Sequence, residues 1–180
     1  MKMYFVFRML LPCILMLPLS SFANGILTNG DALVFQTSVW TNHYNDEPDH
    51  NNHQKLINLE YYFSPDNQPF QQSFADWRDD LSWLTGAATF KNSFDQQSVY
   101  VYGGSRYDWS MTDNTDAYVK LTAGFLWGYR GEYRDKIPLN RLGVAPVVLP
   151  AVGVQYRQAN IELLPFAAAG IMMNIGWRFD

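Results

Sequence analysis

Two residues stand out for their chemistry, a histidine closing one alternating stretch and a serine at the tip of a hairpin. His43 ends the run Trp40-Thr41-Asn42-His43-Tyr44, and Ser93 sits in Phe90-Lys91-Asn92-Ser93-Phe94. An imidazole exchanges protons near neutrality, so the histidine suits a general base. The serine hydroxyl suits either a nucleophile or a donor to a developing oxyanion. Together they make a base-and-hydroxyl pair able to move a proton at a reacting centre. Ordinary polar residues of two loops would carry the same letters.

What could bring them together is a set of strands. Asp31 to His43 alternates, with Leu33, Phe35 and Val39 on one face and Gln36, Ser38 and Asn42 on the other. Thr41 and His43 continue the apolar parity, so His43 is expected to leave the apolar band at the strand's end. Lys55 to Phe63 reads as a second strand, with Asn58, Glu60 and Tyr62 on one face. A third and a fourth (84–90 and 98–102) flank the Ser93 turn, and Gly103-Gly104 ends the regular alternation before a polar turn at 107–116. Ala117 to Tyr129, Ile137 to Tyr156, Asn160 to Phe166 and Gly170 to Phe179 complete a count of about eight, the smallest closed transmembrane barrel. Closure removes edges that lipid cannot satisfy. Hairpins opening on one side then place His43, Ser93 and the 130–140 loop on one rim. The long connection 64–82 spaces Phe74, Trp77 and Leu81 like a short amphipathic turn.

Composition narrows the class. Lys2 and Arg8, the apolar run Met9 to Leu19 and Ser20-Ser21-Phe22-Ala23 read as a secretory leader cleaved after Ala23, leaving a barrel domain over 24–180. The single cysteine, Cys13, falls in that leader, so no disulfide, thiol nucleophile or cysteine metal site is expected beyond it. The chain has 13 basic and 17 acidic residues, and without Lys2 and Arg8 eleven basic ones remain, which excludes a nucleic-acid-binding surface. Aromatics make up 16% of the chain and cluster at strand ends, as interfacial girdles do. His50 and His53 with Asp46 and Asp49 resemble metal ligands, but no regular element fixes them, and a solvated loop is the reading adopted. The expectation is an all-β, eight-stranded antiparallel barrel of the Gram-negative outer membrane, monomeric, with no cofactor or metal.

Four further pieces occur in one order: Trp40 to His43, Phe90-Lys91-Asn92-Ser93, Ile137-Pro138-Leu139, and Leu149-Pro150-Ala151-Val152-Gly153-Val154. With the aromatic last strand, they make the chain resemble the lipid A palmitoyltransferase (PagP) family over most of its length. That resemblance implies an acyltransferase that takes a palmitoyl-type chain from a glycerophospholipid donor to a lipid A acceptor. Catalysis would fall to His43, Asn92 and Ser93, with Asn92 standing where the family has an aspartate. Asp95 or Asp46 would then have to orient the imidazole.

Other roles follow from the same resemblance. Gly104, eleven residues after Ser93, would leave room at the floor of an acyl pocket, unless it and Gly103 only mark a turn. Pro138, Pro146 and Pro150 would open lateral gates for lipid, or mark a bulge or a loop start. Apart from the resemblance, Lys91, Arg130, Arg134, Lys136 and Arg141 all fall near the expected outer rim, where they would contact substrate phosphates or simply be solvated. Two alternatives remain open: a lipid A deacylase or phospholipase on a similar barrel, and a small non-catalytic barrel.

Overall fold

A computed structural model describes residues 30–44, 51, 54–69, 77–140, 142–166 and 169–180. The expected leader, the acidic and histidine-containing stretch at 45–50 and 52–53, Phe74 and Arg141 lie outside the described residues. Eight antiparallel strands close into a barrel: β1 (Ala32–His43), β2 (Ile57–Tyr62), β3 (Ser82–Lys91), β4 (Gln97–Thr112), β5 (Thr115–Trp127), β6 (Val144–Tyr156), β7 (Ala159–Pro165) and β8 (Gly170–Phe179). Each pairs with its sequence neighbour, and β8 returns to β1. Short 3₁₀ turns occupy Pro65–Asn67, Trp77–Asp80 and Gly131–Lys136. No helix among the described residues is long and apolar enough to cross a membrane.

The alternation sorts side chains as a transmembrane barrel requires. Leu59, Val101, Leu121, Phe125 and Ile161 are exposed on the outside, whereas Asn58, Glu60, Tyr102, Lys120 and Glu162 are buried inside. Exposed aromatics mark both ends of the apolar band, Trp40 and Trp127 at the end bearing His43, Trp109 and Trp177 at the other.

Three expectations change. β4 does not stop at Gly103-Gly104. It runs to Thr112 in register with β5, and the turn shrinks to 113–114. The stretch looked like a loop because its inward positions are charged: Arg106 is buried, donating to Gln155 Oε1 at 2.7 Å and, through Nε, to Asp108 Oδ1 at 2.9 Å. β6 begins at Val144 rather than Ile137, since Leu139 and Gly143 both take positive φ and break the extended chain.

The third change is in β1. Its register against β8 shifts between Ser38 and Trp40, a bulge that adds one residue to β1. Inward parity therefore moves from Val34 and Gln36 to Thr41 and His43, while Val39, Trp40 and Asn42 are exposed. His43 faces the lumen, not the outer apolar face that strict alternation assigned to it.

Pairing is incomplete in the half of the barrel nearest His43. β1 meets β2 only over Ala32–Thr37, and β6 meets β7 only over Val152–Tyr156. In the first gap, side chains replace the ladder. Thr37 Oγ1 donates to Leu56 O at 2.7 Å, and Leu56 N donates to Ser38 Oγ at 3.0 Å. In the second, Pro146 and Pro150 stand in register with β5 on a stretch that β7 does not reach. A strand tolerates proline where no ladder partner needs its missing N–H.

Candidate active site

The barrel brings the predicted pair together. His43 Nε2 lies 2.7 Å from Ser93 Oγ, a hydrogen bond spanning fifty residues of sequence. His43 is buried by position at the end of β1, with its ring edge-on to Phe166 at 5.5 Å. The adjacent backbone is held by Tyr44 N donating to Ala169 O at 3.0 Å.

Ser93 rides on the β3–β4 turn, and Asn92 builds that turn. The Asn92 Oδ1 accepts from Phe94 N at 2.9 Å and Gln96 N at 3.0 Å, an Asx-type cap. Its Nδ2 donates to Ser98 Oγ at 3.1 Å and to Gly128 O at 3.5 Å. The side chain is fully buried, and these contacts engage both of its ends. Asn92 therefore builds the turn that carries Ser93, and none of these four contacts is to the imidazole. Asp95, at positive φ in the same turn, points away to Lys91, 3.6 Å from its ammonium. Asp46 lies outside the described residues.

Sequence reasoning missed three members of the site. Asn51 donates through its backbone N–H to Ser93 O at 2.7 Å and through Nδ2 to Asn92 O at 3.4 Å. The buried Gln54 donates to Asn51 O at 2.8 Å and accepts from Lys91 N at 2.7 Å, strapping the β1–β2 connection onto the serine turn. Both sat in a polar run that read as solvated loop. The third is Tyr129. Its burial pushes the phenol up, and hydrogen bonds with the Ser93 side chain and backbone partly oppose that rise. Asn140 Nδ2 donates to Tyr129 O at 3.1 Å. The preceding Gly128, at φ +128, must be glycine because a Cβ would strike Ser98 Oγ. The Gly-Tyr pair after a strand was the available signal.

A cavity of about 560 Å³ opens beside His43, Ser93 and Tyr129. Phe90, Leu126, Val147, Leu149 and Met172 form apolar walls, and Glu60, Lys120 and Glu162 line its floor. That volume falls within the range of about 300–1,000 Å³ usual for small-ligand sites. Gly104 is not among the lining residues. It pairs with Thr122, and a side chain there would strike Leu121 O, so close strand packing explains the glycine.

The rim cations are spread around this mouth. Lys91 Nζ donates to Asp95 O at 2.9 Å, and the exposed Arg130 is fixed through its backbone by Gln96 Oε1 at 2.9 Å. Lys136 lies over the Phe94 ring at 5.8 Å and lines the cavity. Phe94 in turn stacks on Tyr133 at 4.1 Å. Arg134 is used internally, donating to Asn140 O at 3.1 Å.

No protein-family model matches the chain, and no curated protein matches it. Among solved structures it is similar to the Yersinia pestis outer membrane protein Ail in a phospholipid bilayer nanodisc, at 14% identity and a TM-score of 0.43, covering 84% of this chain and all of that one. It is also similar to the Ail crystal structure, at 11% identity and a TM-score of 0.40 over the same shares. Ail in complex with the heparin analogue sucrose octasulfate gives 13% identity and a TM-score of 0.40, again over 84% and 100%.

Proposed function

We propose that this barrel resides in the outer membrane and is an acyltransferase, moving a palmitoyl-type chain from a glycerophospholipid to lipid A. The observation that carries the reading is the His43–Ser93 hydrogen bond at the mouth of an apolar-walled cavity. A nucleophile within reach of its base, beside a compartment fit for an acyl chain, is what ester-to-hydroxyl transfer needs. The two half-open seams, β1–β2 and β6–β7, lie at the depth of that cavity and offer lipids a sideways route.

In this reading Ser93 Oγ attacks the donor ester carbonyl while His43 Nε2 takes its proton. That proton passes to the departing glycerol oxygen, which leaves as lysophospholipid. The acceptor hydroxyl then gives its proton to His43 and attacks the acyl-serine; His43 passes that proton to the departing Ser93 Oγ, which restores both residues. Tyr129 O–H stands beside Ser93 to donate to the oxyanion formed in both steps. Lys91, Arg130 and Lys136 meet the phosphates of donor and acceptor at the rim.

The test is an in vitro transfer assay with purified barrel, a phospholipid labelled in its sn-1 chain, and lipid A. Label arriving on lipid A, and absent with His43→Ala, supports transfer. Label released only as free fatty acid would make the protein a hydrolase. Label left on the donor, with a folded barrel, would favour a non-catalytic protein.

A further inference from the structure

Toward the closed end of the cavity the apolar walls give way to charge. Lys120 Nζ lies 2.6 Å from a carboxylate oxygen of Glu60 and 2.6 Å from one of Glu162, all three side chains being buried. Glu60 is well supplied with donors: Lys120, Tyr102 and Asn58 reach one oxygen, and Tyr62 the other. Glu162 is not. Lys120 and Tyr118 serve its Oε2, whereas among the described residues Oε1 meets only the Asn174 amide, at 3.5 Å.

Asn174 is 1% exposed and lines the cavity, and its Oδ1 accepts no hydrogen bond among the described residues. The carboxylate fixes which end of the amide is which, because Nδ2 must face Glu162. Two neighbouring buried acceptors thus lack a good donor. Gly170, Met172 and Asn174 follow one another along the inner face of β8, and Gly170 pairs with His43. A chain entering at the His43–Ser93 mouth and passing Met172 arrives at Asn174.

We infer that the cavity floor is a binding site for a hydrogen-bond donor, a hydroxyl or an ammonium, carried on the far end of the ligand's chain and seated between Asn174 Oδ1 and Glu162 Oε1. A plain methyl terminus would cover those acceptors without pairing them, which is unfavourable. The inference rests on the cavity being a chain-binding compartment. It revises the proposed palmitoyl-type chain at its terminus, from a methyl to a polar group, and it does not depend on acyl transfer.

The experiment is calorimetric titration of the full barrel, held in an amphipol, with dodecanoate, ω-hydroxydodecanoate and ω-aminododecanoate. At least one donor-bearing probe should bind about tenfold tighter than dodecanoate, the scale of one hydrogen bond to a charged acceptor. Asn174→Leu should bind all three alike, and Asn174→Asp should keep the preference and shift it toward the amine. If Asn174→Leu does not fold, the wild type and Asn174→Asp still decide. Equal binding of the three probes by the wild type, or preference for dodecanoate, overturns the inference and leaves the chain compartment standing. Binding of none overturns both.

Discussion

His43 Nε2 and Ser93 Oγ stand 2.7 Å apart, although one belongs to the end of β1 and the other to the turn after β3. A bulge on one side and an asparagine-capped turn on the other produce that distance. Each alanine variant, His43→Ala and Ser93→Ala, should lower transfer by about a hundredfold or more, the scale of losing a positioned acid–base group. Heat-modifiable gel mobility should show both barrels folded.

The bulge itself is testable. Deleting Val39 would remove the extra residue between Ser38 and Trp40 and return His43 to the outward parity. Transfer should fall to the level of His43→Ala in a barrel that still closes, read by the same gel. Retained activity would contradict the inward-switching role of the bulge.

Asn92 provides a sharper contrast. A carboxylate in its place would keep the acceptor bonds to Phe94 N and Gln96 N, but it could not donate to Ser98 Oγ or to Gly128 O. Asn92→Asp is expected to destabilise the barrel by about 1–3 kcal/mol without raising activity. Urea unfolding in lipid vesicles, alongside the transfer assay, measures both. A gain in rate would restore the residue to the chemistry.

Much of this architecture was readable in the residues. Period-two alternation located β1, β5 and β8 closely, and the F-K-N-S run located the serine turn. The misreadings have separate causes. A small barrel buries polar and charged groups inside, so Arg106 and Asp108 made half of β4 look like loop. One inserted residue in β1 reversed the face of His43, and alternation alone carries no sign of such a bulge. Asn51 and Gln54 act through backbone groups and long-range contacts, which composition does not mark.

Tyr129→Phe should cut the turnover rate by about a hundredfold to a thousandfold with little change in KM, as loss of one oxyanion donor does. Because burial raises the phenol, it stays protonated above the ordinary tyrosine range, and its donor role persists through neutral pH. The alkaline limb of the rate profile should therefore be the same in wild type and variant. A limb lost with the phenol would make Tyr129 a titrating group instead.

Lys120 joins the two buried carboxylates of the lumen. Lys120→Ala leaves Glu60 and Glu162 facing each other without their shared cation, and breaking such a pair costs about 3–5 kcal/mol. Lys120→Met combined with Glu60→Gln and Glu162→Gln should recover most of that loss. Equilibrium unfolding of the single and triple variants checks the coupling.

Mass spectrometry of lipid A decides whether the His43–Ser93 pair transfers an acyl chain. Lipid A would be compared from cells expressing the wild type and the Ser93→Ala protein. A mass gain of one acyl chain is expected with the wild type only, its size reporting the chain delivered. An unchanged lipid A, or a loss of mass, with the wild-type barrel folded in the outer membrane would contradict acyl transfer by this pair.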